Sequence, residues 1–133
     1  PELYRCGVNW VGVTDLDLMY TARWSDFSEM WKEYGMPVMV GDREQDAKQL
    51  ADTSPVKLAS RLTQPLLLAY GGEDRRVPIQ HGVQLRDAVA PHNKNLEWVT
   101  YADERHGWTL EANNVDFWTR VERFLERHLR NAQ

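Results

Sequence analysis

Asp74 and His106 are the residues of this chain whose types and spacing point to acid–base chemistry. Each follows a short apolar run that reads as a β-strand. Pro65–Tyr70 (PLLLAY) breaks at Gly71-Gly72 and delivers Glu73-Asp74 into a tight turn. Leu96–Tyr101 (LEWVTY) ends in Ala102-Asp103-Glu104-Arg105-His106-Gly107. A fixed carboxylate accepts a hydrogen bond from an imidazole N–H, and the other ring nitrogen is then free to take a proton from a hydroxyl nucleophile. Parallel sheets gather their reaction sites at the C-terminal ends of strands, where both residues fall. Either residue alone is ordinary, since Asp caps many turns and most loop histidines have no role. Together, with a strand between them, they supply two thirds of a hydrolytic triad in the acid-before-base order.

The nucleophile is the missing third. Ser25, Ser28, Ser54 and Ser60 lie outside any G-x-S-x-G context, and Ser54 is better used as a helix cap. The single cysteine, Cys6, excludes an internal disulfide and reads as a buried structural thiol. His81, His92, His106 and His128 share no H-x-x-x-H spacing and have no cysteine pair beside them, which argues against a metal site. Gly71-Gly72 lacks the glycine pattern of a phosphate-cradling loop. The residues imply no cofactor.

The elements that must position the two turns follow from local pattern. Tyr4–Val13 (YRCGVNWVGV) reads as a strand apolar on both faces. Ser25-Asp26 caps a short helix through Tyr34, with Gly35 as its stop and Met36-Pro37-Val38 as connector. The aromatic residues Tyr20, Trp24, Phe27, Trp31 and Tyr34 in this stretch have two readings, an excursion packed over the core or a wall of a substrate pocket. Asp42 and Gln45 resemble a capping box for a helix from Arg43 to about Ala51, and Ser54-Pro55 starts another to about Ser60. A helix from Pro78 to Ala90 follows the Asp turn. In the last helix Phe117, Trp118, Val121, Phe124, Leu125 and Leu129 recur at helical spacing, with His128 on the same apolar side. Strands alternating with helices mean α/β architecture, a parallel sheet covered on both faces.

Composition agrees with one domain or less. The 133 residues are 42% hydrophobic and 27% charged, with a net charge of −4. No basic patch interleaved with aromatics suggests nucleic acid, and no apolar run approaches membrane-spanning length. The start at Pro1, without an initiator Met and almost directly in a strand pattern, reads as a piece cut from a longer chain. The compartment is therefore not readable.

With these motifs in place, the sequence resembles the C-terminal half of the catalytic domain of the prolyl oligopeptidase family of serine peptidases, over nearly the whole chain. The carriers are C-G-V-N-W-V-G-V-T-D-L at Cys6–Leu16, S-P at Ser54-Pro55, Q-P-L-L-L-A-Y-G-G-E-D-R-R-V-P at Gln64–Pro78 and Y-A-D-E-R-H-G at Tyr101–Gly107. The last two are the specific ones. The resemblance implies that Asp74 and His106 are the triad's acid and base, and that Arg76 and Val77 help bind substrate near the scissile bond. It implies that Val13, Leu16 and Tyr20, with Met19, line the pocket for the residue before that bond. Leu16 and Met19 stand where members with strict proline preference carry aromatics.

The resemblance also implies a partial α/β-hydrolase: a three-stranded parallel sheet, strands 6–8 of the full fold, flanked by helices. Residues 1–133 would then be one truncated domain, with the serine, the oxyanion-hole donors and the first strands upstream of Pro1. The expected partners are a peptide substrate, the missing N-terminal half, and a second copy pairing through the bare Tyr4–Val13 edge. The chain alone is expected to be inactive. Rival readings are a fragment of an α/β-hydrolase esterase sharing the same Asp and His, a self-contained flavodoxin-like binding module, and a degenerate hydrolase half that serves as an interaction surface.

Overall fold

Strands β1 (Gly7–Trp10), β2 (Leu66–Gly71) and β3 (Leu96–Tyr101) form one parallel sheet in the order β1-β2-β3 in the computed structural model, which describes residues 3–130. Gly7 lies opposite Leu66, and Leu66 opposite Leu96. The period-two alternation of the central strand divides the core into two layers. Leu67 and Ala69 join Val99, Trp108, Phe117, Val121 and Phe124 on one face, beneath the long helix Glu111–Leu129. Leu68 and Tyr70 join Ala59, Val77, Leu85 and Val89 on the other, beneath the helix Gln80–Val89 and the 3₁₀ helix Pro55–Arg61. A strand covered on both faces must be apolar throughout, which is why β2 reads as an unbroken hydrophobic run. Gly82 lets the helix above it settle onto the sheet, because a Cβ there would run into the rings of Tyr70 and Trp98.

Helices are numbered here in chain order: α1 (Leu16–Thr21), α2 (Met36–Met39), α3 (Ala47–Thr53), α4 (Gln80–Val89) and α5 (Glu111–Leu129). Between β1 and β2 the structure departs from the sequence reading in several places. β1 stops at Trp10 instead of Val13, because Val11 takes a left-handed φ of 50° and Asn9 Oδ1 accepts the Gly12 N–H at 2.9 Å. Gly35 does not end its helix. Trp31–Gly35 forms a π-helical turn whose wider ring closes from Met36 N to Trp31 O, and the chain runs on into α2. Gly35 and Met36 stay right-handed, so Met36-Pro37-Val38 is helical rather than a connector, with Pro37 in the first turn where its missing N–H is tolerated.

The Asp42 cap closes a turn through Glu44 N and Gln45 N, both at 2.8 Å, and the helix itself waits until Ala47. Ser54 does not cap the helix that follows it. Its Oγ donates to Leu50 O at 2.6 Å and accepts from Leu16 N at 2.9 Å, which ties the end of α3 to the start of α1. Cys6 is half-buried against the α5-side layer and makes no disulfide.

Candidate active site

β2 and β3 are adjacent and parallel, so the turns that leave their C-terminal ends lie side by side. Backbone hydrogen bonds join them directly, Gly72 N to Tyr101 O at 2.9 Å and Glu73 N to Glu104 O at 2.9 Å. The approach is so close that a Cβ on Gly71 would overlap the carbonyl oxygens of Glu104 and Arg105. Only glycine lets the two turns meet here.

Asp74 is fully buried in this seam, and its two oxygens do different work. Oδ1 accepts from Arg76 N and Val77 N, both at 2.9 Å, which fixes the carboxylate to its own turn. Oδ2 is 2.9 Å from His106 Nδ1. The turn-capping role and the histidine-orienting role, rivals on sequence grounds, are thus filled together by separate atoms. The N–H groups that Oδ1 accepts from belong to the turn, since α4 begins only at Gln80. An ionised carboxylate can only accept, so with Asp74 in that form the contact takes Nδ1–H as donor and leaves the Nε2 lone pair available. The imidazole is 44% exposed, accessible to a substrate.

The loop that carries His106 is closed by a buried ion. Glu104, fully buried, accepts from Thr109 N (2.8 Å), Thr109 Oγ1 (3.0 Å), Leu110 N (2.9 Å) and Asn113 Nδ2 (2.9 Å). Burial pushes its carboxyl up, but these hydrogen bonds outweigh it and hold the pKa down at about 2. Leu110 N and Asn113 belong to the start of α5, so the bonds clamp the loop onto a helix N-terminus. Gly107, at φ 115°, lets the chain reverse just after His106. On the far side of the sheet rim, His81 is buried and its Nδ1 accepts from Thr14 N at 3.3 Å. Burial lowers its pKa to about 4, against the pull of Asp15 and Asp74, so it is a neutral structural bridge between α4 and the loop after β1.

His106 borders an open cavity of about 620 Å³ together with Trp24, Asp26, Glu73, Arg75, Arg76 and Arg105. Of the residues singled out from the sequence for substrate contact, Arg76 lies in this cavity. Its guanidinium Nε bonds Asp26 at 3.0 and 2.9 Å and its head sits 5.6 Å from the Phe27 ring. The Val77 side chain is buried in the α4-side core, and only its N–H reaches Asp74. Val13 packs against the same layer. Leu16 opens α1, with its N–H on Ser54. Tyr20 donates to Gly41 O at 2.6 Å and borders a different cavity, of about 480 Å³, beside Lys32 and Arg43. The aromatic excursion therefore serves partly as a pocket wall, through Trp24 rather than Tyr20. Sequence reasoning did not single out Glu104, Asp26, Arg75 or Arg105. Only long-range pairing identifies Asp26, 50 residues from Arg76, whereas the partners of Glu104 lie five to nine residues on, in the loop and the start of α5.

Comparisons with known proteins bear on the fold and the family. The chain is 31% identical over 134 residues to a dipeptidyl aminopeptidase BIII of Pseudoxanthomonas mexicana, covering 97% of this chain and 19% of that protein. It is 27% identical to a dipeptidyl peptidase family member 6 of Caenorhabditis elegans, covering 97% of this chain and 18% of that one. The chain thus spans about a fifth of the length of these relatives. Among solved structures, a Mycobacterium tuberculosis puromycin-hydrolyzing peptidase superposes with a TM-score of 0.84 at 20% identity, over 97% of this chain and 19% of that one. An acylaminoacyl peptidase of Pyrococcus horikoshii gives 0.81 at 20%, over 97% of this chain and 20% of that one. The three-stranded parallel sheet is accordingly part of an α/β-hydrolase fold. The model of the prolyl oligopeptidase family matches residues 1–132, and the chain belongs to that family.

Proposed function

We propose that this chain is the C-terminal part of the catalytic domain of a serine peptidase, contributing the acid and base of a triad whose serine lies upstream. The observation that carries the reading is the 2.9 Å contact between His106 Nδ1 and the fully buried Asp74 carboxylate at the rim of an open cavity. In the parent enzyme the serine attacks the peptide carbonyl while His106 Nε2 takes its proton. The protonated ring then gives that proton to the leaving amine, and Asp74 stabilises the imidazolium through Nδ1–H. The oxyanion donors would also come from the upstream half. Arg76 would bind substrate beside the scissile bond, with Val13, Leu16 and Tyr20 forming part of the pocket and Val77 acting through its backbone. The peptidase names of the relatives support the reading of a peptide rather than an ester substrate for this chain.

The upstream half is the proposed partner of β1. β1 has a neighbour on one side only among the described residues, and Val8 and Trp10 are each more than a third exposed. Without that half, the same edge is open to a second copy of the chain.

The test has two parts. The chain alone, given short chromogenic peptides, is expected to match the buffer rate, because loss of the serine removes on the order of a million-fold. In the parent enzyme, Asp74→Asn is expected to lower kcat by about four orders of magnitude through the wrong tautomer, with the Asp74 turn intact. Turnover by the isolated chain, or an Asp74→Asn enzyme within tenfold of the parent, would overturn the reading.

A further inference from the structure

The cavity beside His106 holds more positive charge than an acid–base pair requires. Three arginines line it, Arg75, Arg76 and Arg105, against two carboxylates, Asp26 and Glu73. Arg76 and Asp26 neutralise one another through their paired bonds. The side chains of Arg75 and Arg105 make no hydrogen bond or ion pair among the described residues. Both are exposed. Against Glu73 they leave one net positive charge and two unengaged guanidinium forks, in a chain whose overall charge is −4.

Their placement is fixed by the turns themselves. Arg75 follows Asp74 and Arg105 precedes His106, so each fork stands one residue from a member of the candidate pair. The Arg75 carbonyl accepts from Asp26 N at 2.8 Å, and the Arg105 carbonyl accepts from Gly107 N at 2.9 Å. Bonded turn backbones carry both side chains. The forks therefore have a set origin in the two turns that carry the candidate pair.

We propose that Arg75 and Arg105 form a carboxylate-recognition rim, so that the enzyme selects peptides bearing a carboxylate close to the scissile bond. The carboxylate is that of an acidic side chain or of a free C-terminus. This rests on the reading of Asp74 and His106 as a peptidase acid and base. Guanidinium offers planar paired donors that match the two oxygens of a carboxylate, and such charge-assisted bonds are stronger than neutral ones. Water screens charges in an open cavity, so it is two forks acting on one carboxylate that carry the selection. Glu73 opposes the field and sets its size. Trp24 supplies an apolar surface for the rest of the substrate side chain.

The experiment uses the intact parent enzyme and four matched peptides: Glu or Gln beside the scissile bond, each with a free or an amidated C-terminus. The parent is expected to favour one carboxylate-bearing arm by roughly tenfold in kcat/KM, and the favoured arm tells side chain from terminus. Arg75→Gln and Arg105→Gln are each expected to shrink that ratio by about three- to tenfold, and Glu73→Gln to enlarge it. The preference is also expected to shrink as salt rises from about 50 mM to about 500 mM. His106→Ala separates the two levels of the argument. If it leaves turnover of all four peptides intact, the acid–base reading fails. If it abolishes turnover while both arginine variants keep the parental ratio, or while the parent prefers the uncharged peptide, the rim is overturned and the acid–base reading stands.

Discussion

Replacing Glu104 with glutamine is expected to destabilise the fold by about 4 kcal/mol, a large share of the stability of a domain this size. The magnitude follows from the four donors around a carboxylate with no exposure. Glutamine fills the same volume but offers one acceptor oxygen instead of two. If its NH₂ faces Thr109, the hydroxyl can turn round and accept, yet Thr109 N is orphaned. If the NH₂ faces the other way, Asn113 can flip its amide, yet Leu110 N is orphaned. Either way one N–H of a part-buried bond loses its partner, about 1–3 kcal/mol, and the two surviving bonds lose their charge assistance, about 1 kcal/mol each. With an m-value of roughly 2 kcal/mol per molar urea, the unfolding midpoint should fall by about 2 M.

The pH dependence gives an independent check. The folded pKa of about 2 lies below the ordinary carboxyl value of 4.5, so the stabilisation is fully present above about 4.5 and is lost as pH falls toward 2. Taking the difference between Glu104→Gln and the parent chain cancels the other carboxylates. That difference should be full near pH 6 and shrink through the acid window. A midpoint shift under about 0.5 M, or a difference that stays constant down to about pH 2, would refute the argument.

Two further outcomes test the scaffold. Gly71→Ala is expected to cost about 2–3 kcal/mol, because the new methyl meets backbone carbonyls of Glu104 and Arg105 that cannot rotate away. A His106 Nδ1–H donating to Asp74 is expected to resonate at low field in proton NMR, and the same change should weaken or remove that signal. Parental stability with that signal unchanged would contradict the close approach. At the sheet edge, Val8→Lys on β1 is expected to shift the isolated chain from self-associated species to monomer in sedimentation. A parental chain that is already monomeric at high concentration would remove the free-edge argument.

The parts of this fold legible in the sequence are those governed by local pattern. β2 and β3 announce themselves as apolar runs bounded by turn residues, and α5 by helical spacing that the burial of Phe117, Val121 and Phe124 follows. The excursion between β1 and β2 was less legible because distant partners decide it. Ser54 looks like a cap until Leu16, 38 residues away, claims its hydroxyl. Gly35 looks like a stop, but a π-helical turn keeps it right-handed. Val11 has no local signature that would warn of a left-handed φ. Glu104 stands in a charged string, Asp-Glu-Arg, that reads as a solvated loop, since ionised residues are almost never fully buried unless paired. Its partners lie five to nine residues on, beyond the turn it belongs to.

That burial bears on how the candidate pair is held. If the contact between Asp74 and His106 alone joined the two turns, substituting either side chain would let them drift, and stability and chemistry would fall together. The structure instead joins them beneath the side chains, through Gly72 N to Tyr101 O and Glu73 N to Glu104 O. Glu104 is the common point: its carbonyl receives the Asp turn while its carboxylate grips the start of α5. The imidazole therefore hangs from a frame that does not depend on the hydrogen bond it makes. On the proposed function, His106→Ala and Asp74→Asn, which keeps the Oδ1 acceptor of the Asp turn, should act mainly on proton transfer, whereas changes at Gly71 or Glu104 move the frame and act on both. If His106 acts as the proposed base, a pre-set frame of this kind would keep its Nε2 in place without reorganisation as charge develops on the ring.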